Sequence, residues 1–351
     1  MSFVRTGLKA ALLGACALGA ALSAAPGAAT AQETTTLKIS HFLPPHHGIH
    51  RDFIEPWARE LEKRTDGKVK VEVHPVNTAF GNVARQMDQV RAGVVDIAHG
   101  LAGIPRGRLP RSSVMDLPFL TTSADAASRT MWDLYKEGLI ADDYQGVKPL
   151  ALHCHNPGQF ATTSRPVEKP EDLRGLRLRT PSPAISEMVS FLGGTPVGMP
   201  PTEVYENLQK GVIDGTVFPW DAVGAFRLNE VVKHHADAKA YTTCFFFAMN
   251  PQSYDKLPAD VKTVLDEMSG DALVGRFGEW WNQWDKAGRD DAVARGNTII
   301  TFTDEQRDAW RTTLKPVIDS YLSGLEKEGV ANAQQIYNRA QELAVKYEGK
   351  K

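Results

Sequence analysis

Twice along this chain, short apolar segments with the alternation of a β-strand are separated by segments with the periodicity of a helix. In residues 37–98, for example, Val69, Val71 and Val73 share one face of a strand, and apolar residues at helical spacing precede and follow them. The same order, strand–helix–strand–helix–strand, returns over residues 176–218. Strands that alternate with helices predict sheets covered by helices, and the repeat predicts two similar α/β lobes rather than one sheet.

The first 31 residues have the pattern of a secretory signal peptide. Arg5 and Lys9 precede a run of small and apolar residues over positions 10–22, and Ala29-Thr30-Ala31 offers a cleavage site, which predicts cleavage after Ala31. A membrane anchor is the alternative, but the run is short and rich in Gly and Ala for that purpose. A lipoprotein signal at Cys16 is a further alternative, although this cysteine stands early. We therefore expect a periplasmic protein.

The composition, with 42% hydrophobic and 23% charged residues, is that of an ordinary soluble globular protein. The formal net charge of −2 shows no excess of basic residues, so we expect no nucleic-acid partner. Two cysteines, Cys154 and Cys244, follow the leader. Export permits a disulfide between them. Two cysteines do not make the framework of several disulfides that defines a disulfide-rich fold, and a buried pair of thiols is the alternative.

Common catalytic and cofactor motifs are missing from the sequence. It contains no G-x-S-x-G, G-x-x-x-x-G-K-[ST], G-x-G-x-x-G or H-E-x-x-H motif. The strongest metal candidate is His46-His47-Gly48-Ile49-His50, in which His47 and His50 could share a helix face. The preceding Pro44-Pro45 favours a solvated loop at a helix start instead. We therefore expect no metal, no cofactor and no enzymatic activity.

Three ordered motifs carry a family resemblance. Residues 174–182 read R-G-L-R-L-R-T-P-S, residues 194–205 read G-T-P-V-G-M-P-P-T-E-V-Y, and residues 208–215 read L-Q-K-G-V-I-D-G. They resemble the pattern G-L-[KR]-[IL]-R-x-P, P-x-x-E-x-Y and L-x-x-G-x-[IV]-D-G of the solute receptors of TRAP transporters (tripartite ATP-independent periplasmic transporters). The resemblance extends over nearly the whole mature chain.

This resemblance implies a two-lobed, class II-like periplasmic binding fold that closes over an organic anion in the cleft between its lobes. Residues 32–157 and 245–285 are expected to form the first lobe, and residues 158–244 and 286–351 the second. The implied hinge comprises two crossings and a long helix, near residues 153–158, 245–250 and 280–295. The implied partners are the small and large membrane subunits of such a transporter.

The resemblance also implies that Arg179 pairs with the substrate carboxylate. A guanidinium presents parallel donors that match a carboxylate, and at the end of a buried strand it would lack other partners. A structural ion pair is the alternative. We favour that alternative for Arg177, which lies two residues further from the end of the strand.

Differences from the sialic-acid receptors of the family predict an apolar pocket. Phe218, Phe160 and Phe42 stand where those receptors carry Asn, Arg and Asn, and Leu101 replaces an acidic residue. Together with Trp220, these three phenylalanines could stack on a ring, although each could instead belong to the core. A buried hydroxyl without a partner costs roughly 1–3 kcal/mol, so a sugar acid would bind badly.

The predicted ligand is therefore a small monocarboxylate with an apolar or aromatic body. Four residues are candidates for a second polar contact to it: Asn77, His155, Tyr205 and Asp221. Two other functions remain open on the same two-lobed frame. One is a periplasmic enzyme, and the other is a sensor subunit that presents its ligand to a receptor kinase.

Overall fold

The computed structural model describes residues 34–349. The predicted signal peptide and its cleavage site after Ala31 lie outside the described residues. Within residues 34–349, no helix combines the length and the apolar character that crossing a membrane requires.

Eleven strands run through residues 34–349 and form two separate sheets. In chain order they are β1 Thr35–His41, β2 Val69–His74, β3 Ile97–Leu101, β4 Lys148–Cys154, β5 Gly158–Thr162, β6 Arg177–Thr180, β7 Thr195–Gly198, β8 Gly215–Phe218, β9 His234–Tyr241, β10 Cys244–Met249 and β11 Thr298–Thr301.

Twelve α-helices of the described range surround the sheets. They are α1 Glu55–Arg64, α2 Gln86–Arg91, α3 Ala124–Lys136, α4 Pro183–Phe191, α5 Val204–Gln209, α6 Trp220–Ala225, α7 Pro251–Asp255, α8 Ala259–Glu267, α9 Gly270–Val274, α10 Phe277–Ala294, α11 Asp304–Lys327 and α12 Ala333–Glu348. A π-helical turn covers Ile49–Ile54, and 3₁₀ turns lie at Val83–Arg85, Ser112–Asp116, Ala141–Tyr144, Pro170–Leu173, Pro201–Glu203 and Leu228–Glu230.

The first sheet has the strand order β2-β1-β3-β10-β4. β1 pairs in parallel with β2 and β3, whereas β10 is antiparallel to both of its neighbours. The predicted alternation is visible in β2, where Val69 and Val71 are buried while Lys70 and Glu72 are exposed. A strand from late in the chain therefore occupies an inner position of this sheet.

The second sheet has the order β11-β9-β5-β8-β6-β7. β6 is parallel to β7 and β8, and β5 is antiparallel to β8 and β9. Two helix-covered sheets confirm the predicted α/β class. The sheets also define the two lobes, because the first is built from residues 35–154 and 244–249 and the second from residues 158–241 and 298–301.

The last helix differs from its predicted lobe. Residues 286–351 were expected in the second lobe, but α12 packs on α3, where Arg339 makes two bonds of 2.7 and 2.8 Å with Glu137. The cause is the apolar face of α12, whose Ile336, Ala340 and Leu343 join the core of the first lobe.

Helix α10, the long helix near the predicted hinge, contacts elements associated with both sheets. Near its start, Trp281 is buried in the core of the first lobe. Further along, Gly288 lies directly against the Trp220 backbone of α6, which follows β8 of the second sheet. The chain also passes between the sheets at the crossings from β4 to β5 and from β9 to β10.

A disulfide joins Cys154 to Cys244. The two residues are direct partners in the antiparallel pairing of β4 with β10. Cys154 is the last residue of β4 and Cys244 the first of β10, so the bond lies where both crossings leave the first sheet. The structure thus has the disulfide, and not the alternative pair of thiols.

Candidate ligand-binding site

A small cavity lies beyond the carboxyl ends of strands from both sheets, which is the edge where open α/β sheets bind ligands. Several lining residues stand where a strand ends: Phe42, Leu43, Leu101, Arg179 and Phe218. The cavity volume available to the centres of water molecules is about 40 Å³. One water needs about 10–15 Å³ on the same measure, so the space suits a single compact molecule.

Aromatic rings and prolines make up much of the cavity wall. They come from both lobes and from α10, and include Phe42, Phe218, Phe226, Phe245, Trp281, Pro181 and Pro201. Such a wall favours an apolar, flat ligand body, because it offers ring faces for stacking and few partners for hydroxyl groups.

Arg179 brings a buried positive charge to the cavity. Its side chain is 1% exposed, and its Nε and Nη1 donate to the carbonyls of Met199 and Val217, both at 3.2 Å. Its Cζ lies 4.0 Å from the centre of the Phe218 ring. Among the described residues, no carboxylate lies within ion-pair distance of this guanidinium. Burial lowers the pKa of Arg179 to about 10, which leaves it charged at neutral pH.

Arg177 has the structural role predicted for it. Its Nε and Nη2 donate to the two carboxylate oxygens of Asp214 at 2.9 and 2.7 Å, and its side chain is 45% exposed. Two arginines of one strand therefore differ sharply: Arg177 has a carboxylate partner, whereas Arg179 is buried with neutral partners.

Two hydroxyl groups at the cavity have no hydrogen-bond partner among the described residues. Tyr241 ends β9 and Thr243 precedes β10, and both line the cavity. The Tyr241 Oη and the Thr243 Oγ1 are buried and have no hydrogen-bond partner among the described residues. Burial raises the pKa of the Tyr241 phenol, so Tyr241 keeps its proton and can donate it. Unsatisfied buried hydroxyl groups beside an arginine that has no carboxylate partner among the described residues are what a bound anion would require.

A carboxylate, Asp221, stands in the first turn of α6 and also lines the cavity. Its Oδ2 lies 3.1 Å from the Nε2 of His47, but the two groups are not aligned as a hydrogen bond. Its backbone N–H donates to the Oδ1 of Asp285 on α10 at 2.7 Å. Asp221 thus contacts the first lobe through His47 and is held in place by α10.

His155 is a neutral member of the cavity lining. Its Nδ1 donates to the Asn156 carbonyl at 2.5 Å, which leaves Nε2 as an acceptor. Burial lowers the pKa of His155 to about 4. At neutral pH it therefore adds polarity to the site without adding charge.

Five of the nine predicted site residues meet at this cavity: Arg179, Phe218, Phe42, His155 and Asp221. The other four do not line it. Phe160 packs on Trp310 inside the core of the second lobe, with ring centres 5.5 Å apart. The Trp220 ring lies 4.9 Å from that of His235.

The two remaining polar candidates have other surroundings. The Tyr205 hydroxyl donates to the Oε2 of Glu230 at 3.0 Å, because α5 presents it to the neighbouring 3₁₀ turn. Asn77 is exposed in the loop after β2. Neither supplies the second polar contact at the described cavity.

Sequence reasoning did not select Tyr241, Thr243 or His47 as ligand contacts. His47 belongs to the histidine motif that was considered only for metal binding, and the described residues contain no cluster suited to a metal ion. The signal for Tyr241 and Thr243 was their position at the crossing that precedes Cys244. A crossing between two lobes must pass the floor of the cleft, so polar residues there are candidate contacts.

Comparison with known proteins agrees with this architecture. Residues 39–324 match the family model of the bacterial extracellular solute-binding proteins, family 7. The C4-dicarboxylate-binding periplasmic protein DctP of Rhodobacter capsulatus is 30% identical over 324 residues, which are 92% of this chain and 95% of that protein.

Two similar solved structures have bound aromatic acids. One is a TRAP solute-binding protein from Rhodoferax ferrireducens with copurified benzoate, and the other is a marine metagenome TRAP solute-binding protein, described as specific for aromatic acid ligands, with 3-hydroxybenzoate. Each has a TM-score of 0.86 and 32% identity, and covers 90% of this chain and 99% of its own. The predicted family and the two-lobed fold are thereby confirmed. The chain belongs to family 7 of the bacterial extracellular solute-binding proteins, the substrate receptors of TRAP transporters, which are periplasmic binding proteins and not enzymes.

Proposed function

We propose that this protein captures an aromatic monocarboxylate in the periplasm and passes it to the membrane subunits of a TRAP transporter. The observation that carries this proposal is the buried Arg179, which has no carboxylate partner among the described residues and faces a cavity walled by aromatic rings. The two relatives that bind benzoate and 3-hydroxybenzoate support the same ligand class.

The carboxylate of such a ligand would pair with Arg179. A buried guanidinium with only carbonyl partners is poorly compensated, and a carboxylate can accept two parallel N–H bonds from it. Tyr241 and Thr243 offer further hydroxyl groups at the same cavity. The charge of the ligand and the unused donors of the protein would then satisfy each other.

The ring of the ligand would contribute the remaining affinity. About 150 Å² of apolar area removed from water is worth roughly 4 kcal/mol at 25 cal/mol per Å², before the entropic cost of binding. Phe218 and Trp281 are suitable neighbours for such a ring.

A monocarboxylate fits this cavity better than a dicarboxylate. Among the described residues that line it, Arg179 is the only Arg or Lys, and His155 is neutral at neutral pH. Asp221 would repel a second carboxylate. This differs from the ligand in the name of the Rhodobacter relative, which shares 30% of its residues with this chain over the aligned region.

Calorimetry of the mature protein with benzoate, phenylacetate, succinate and sialic acid tests the ligand class. We expect benzoate or phenylacetate to bind at least tenfold more tightly than succinate or sialic acid. Tight binding of sialic acid, together with refusal of both aromatic acids, would refute the proposal.

Arg179→Ala should abolish binding of aromatic acids, because it removes the only guanidinium of the described lining. Arg177→Ala is the matched control, since it removes an arginine of the same strand that is already paired with Asp214. Both variants should unfold cooperatively. Retention of tight binding by folded Arg179→Ala would disprove the role of this residue as the anion anchor.

Delivery to a transporter needs a separate experiment. Vesicles that contain the small and large membrane subunits should take up labelled benzoate only when this protein is added. Binding of benzoate without uptake, combined with activation of a receptor kinase, would instead favour the sensor function.

A further inference from the structure

Asp221 has no function in holding a carboxylate, yet it lines the same cavity as Arg179. Asp221 is 5% exposed, so its carboxylate is largely removed from water. A buried carboxylate normally accepts several hydrogen bonds, because its two oxygens offer about four acceptor sites. The Oδ2 of Asp221 accepts none from the described residues.

The nearest side chain does not fill this requirement. His47 places its Nε2 3.1 Å from Asp221 Oδ2, without the alignment of a hydrogen bond. The Nδ1 of His47 accepts from the backbone N–H of Ile49 at 3.1 Å, so the ring proton is on Nε2, which lies near Asp221 but is not aligned with Oδ2. The carboxylate of Asp285 accepts from the backbone N–H of Asp221 and makes no hydrogen bond with the Asp221 Oδ2.

Binding of a simple aromatic acid would leave the Oδ2 of Asp221 without a hydrogen-bond donor. The ligand carboxylate would use the charge of Arg179 and would bring no donor to Asp221. A ring without polar substituents offers Asp221 no donor, whereas a hydroxyl group would donate to it in a charge-assisted bond.

We infer that Asp221 is a specificity residue that accepts a hydrogen bond from a hydroxyl group of the ligand, so that the preferred ligands are hydroxylated aromatic acids. This inference rests on the proposed function, because it assumes an aromatic acid anchored at Arg179. It adds a second recognition point to the site. The affinity for a suitably hydroxylated acid is expected to exceed that for the unsubstituted acid about 10- to 100-fold, because a hydrogen bond to a charged group contributes that much to an equilibrium constant.

The competing explanation is that Asp221 only helps to hold the lobes together through His47. Other contacts do join the lobes: the Nε2 of His46 lies 2.9 Å from the Ala225 carbonyl oxygen, and Arg106 donates to the Ser186 hydroxyl at 2.6 Å. A closing contact would change the affinity for every ligand by the same factor. A specificity contact would change the ratio between hydroxylated and unsubstituted acids.

The test is a calorimetric comparison of benzoate with its 2-, 3- and 4-hydroxy derivatives in the wild-type protein, Asp221→Ala and His47→Ala. We expect at least one hydroxybenzoate to bind wild type 10- to 100-fold more tightly than benzoate. In Asp221→Ala this ratio should fall below about threefold, whereas in His47→Ala it should persist even if both affinities decline. Circular dichroism and thermal unfolding establish that both variants are folded.

The outcomes separate the two proposals. If benzoate and all hydroxybenzoates bind wild type equally, or if the preference persists in folded Asp221→Ala, the inference about Asp221 is overturned while the proposed function stands. If none of these acids binds wild type, the proposed function fails and the inference fails with it.

Discussion

Replacing Gly288 by alanine should weaken ligand binding from outside the cavity. Gly288 lies on α10 where this helix meets α6, and α6 carries Asp221 and Ala222 of the cavity lining. A Cβ added at position 288 would lie 1.9 Å from the backbone oxygen of Trp220 and 2.6 Å from its carbonyl carbon. Both atoms belong to backbone, so neither can turn aside as a flexible side chain would.

The size of the effect follows from these distances. Real Cβ atoms essentially never approach closer than 3.0 Å, so the two helices must separate by at least about 1 Å. The bond of 2.7 Å from the Asp221 N–H to Asp285 would then exceed hydrogen-bonding distance. Overpacking costs about 1–3 kcal/mol, and the loss of an ordinary hydrogen bond costs about 0.5–1.5 kcal/mol. We therefore expect a loss of about 2–4 kcal/mol in the free energy of unfolding.

Urea unfolding followed by tryptophan fluorescence measures the stability, and calorimetry with benzoate measures affinity. The displaced α6 should reduce the affinity of folded Gly288→Ala at least about tenfold. The control is Gly324→Ala in α11, where an added Cβ meets no atom within 4 Å. This variant should gain roughly 0.5–1 kcal/mol from its helical position and bind normally. A Gly288→Ala protein with wild-type stability and affinity would refute the reasoning.

Two further predictions use other contacts. Phe218→Ala should weaken benzoate binding about tenfold or more, because the ring lines the cavity and covers Arg179. Phe160→Ala should instead lower the free energy of unfolding by about 3–5 kcal/mol and leave the calorimetric affinity of the folded protein nearly unchanged. The reverse pattern would mean that Phe160 contacts the ligand and Phe218 belongs to the core. Burial and the charge of Asp221 raise the pKa of Asp285 from 3.8 to about 7, so the folded state retains a proton that the unfolded chain loses, and Asp285 reduces stability as pH rises from about 4 to 7. In urea titrations, the stability of Asp285→Asn relative to wild type should therefore increase by up to about 4 kcal/mol between pH 4 and pH 8, and a difference independent of pH would contradict this account.

The arginine pair shows what the sequence could predict about the site. Arg177 and Arg179 lie two residues apart on one short strand and therefore on the same face. Their different distances from the end of the strand were enough to predict different surroundings for them. Arg177 pairs with Asp214, and Arg179 is buried at the cavity. The local motif worked here because the carboxyl end of a parallel strand points towards the ligand edge of the sheet.

Phe160 and Trp220 show where this reasoning fails. All five residues of β5 are buried, so burial did not distinguish the face that packs on Trp310 from the edge that meets the cleft. Trp220 follows the strand end by two residues, yet its backbone contacts α10 and its ring turns to His235. Such choices depend on helices distant in sequence, which a local pattern cannot reveal.

Tyr241, Thr243 and α12 illustrate the same limit over longer distances. The two hydroxyl residues reach the cavity because β9 pairs with β5 and β10 pairs with β3 and β4. Arg339 of α12 finds Glu137 across a separation of 202 residues. Lobe membership in this chain therefore follows tertiary packing and not the order of residues.

The inner position of β10 in the first sheet has a consequence for biosynthesis. Because β10 lies between β3 and β4, the amino-terminal lobe cannot complete its sheet until residue 249 has left the ribosome or the export channel. A nascent chain that stops before residue 244 would present β3 and β4 with unpaired edges, which invite association with other chains. Strands β6 and β8, which carry Arg179 and Phe218, are already available by then, so a truncated chain would contain these cavity residues without the finished first sheet that faces them.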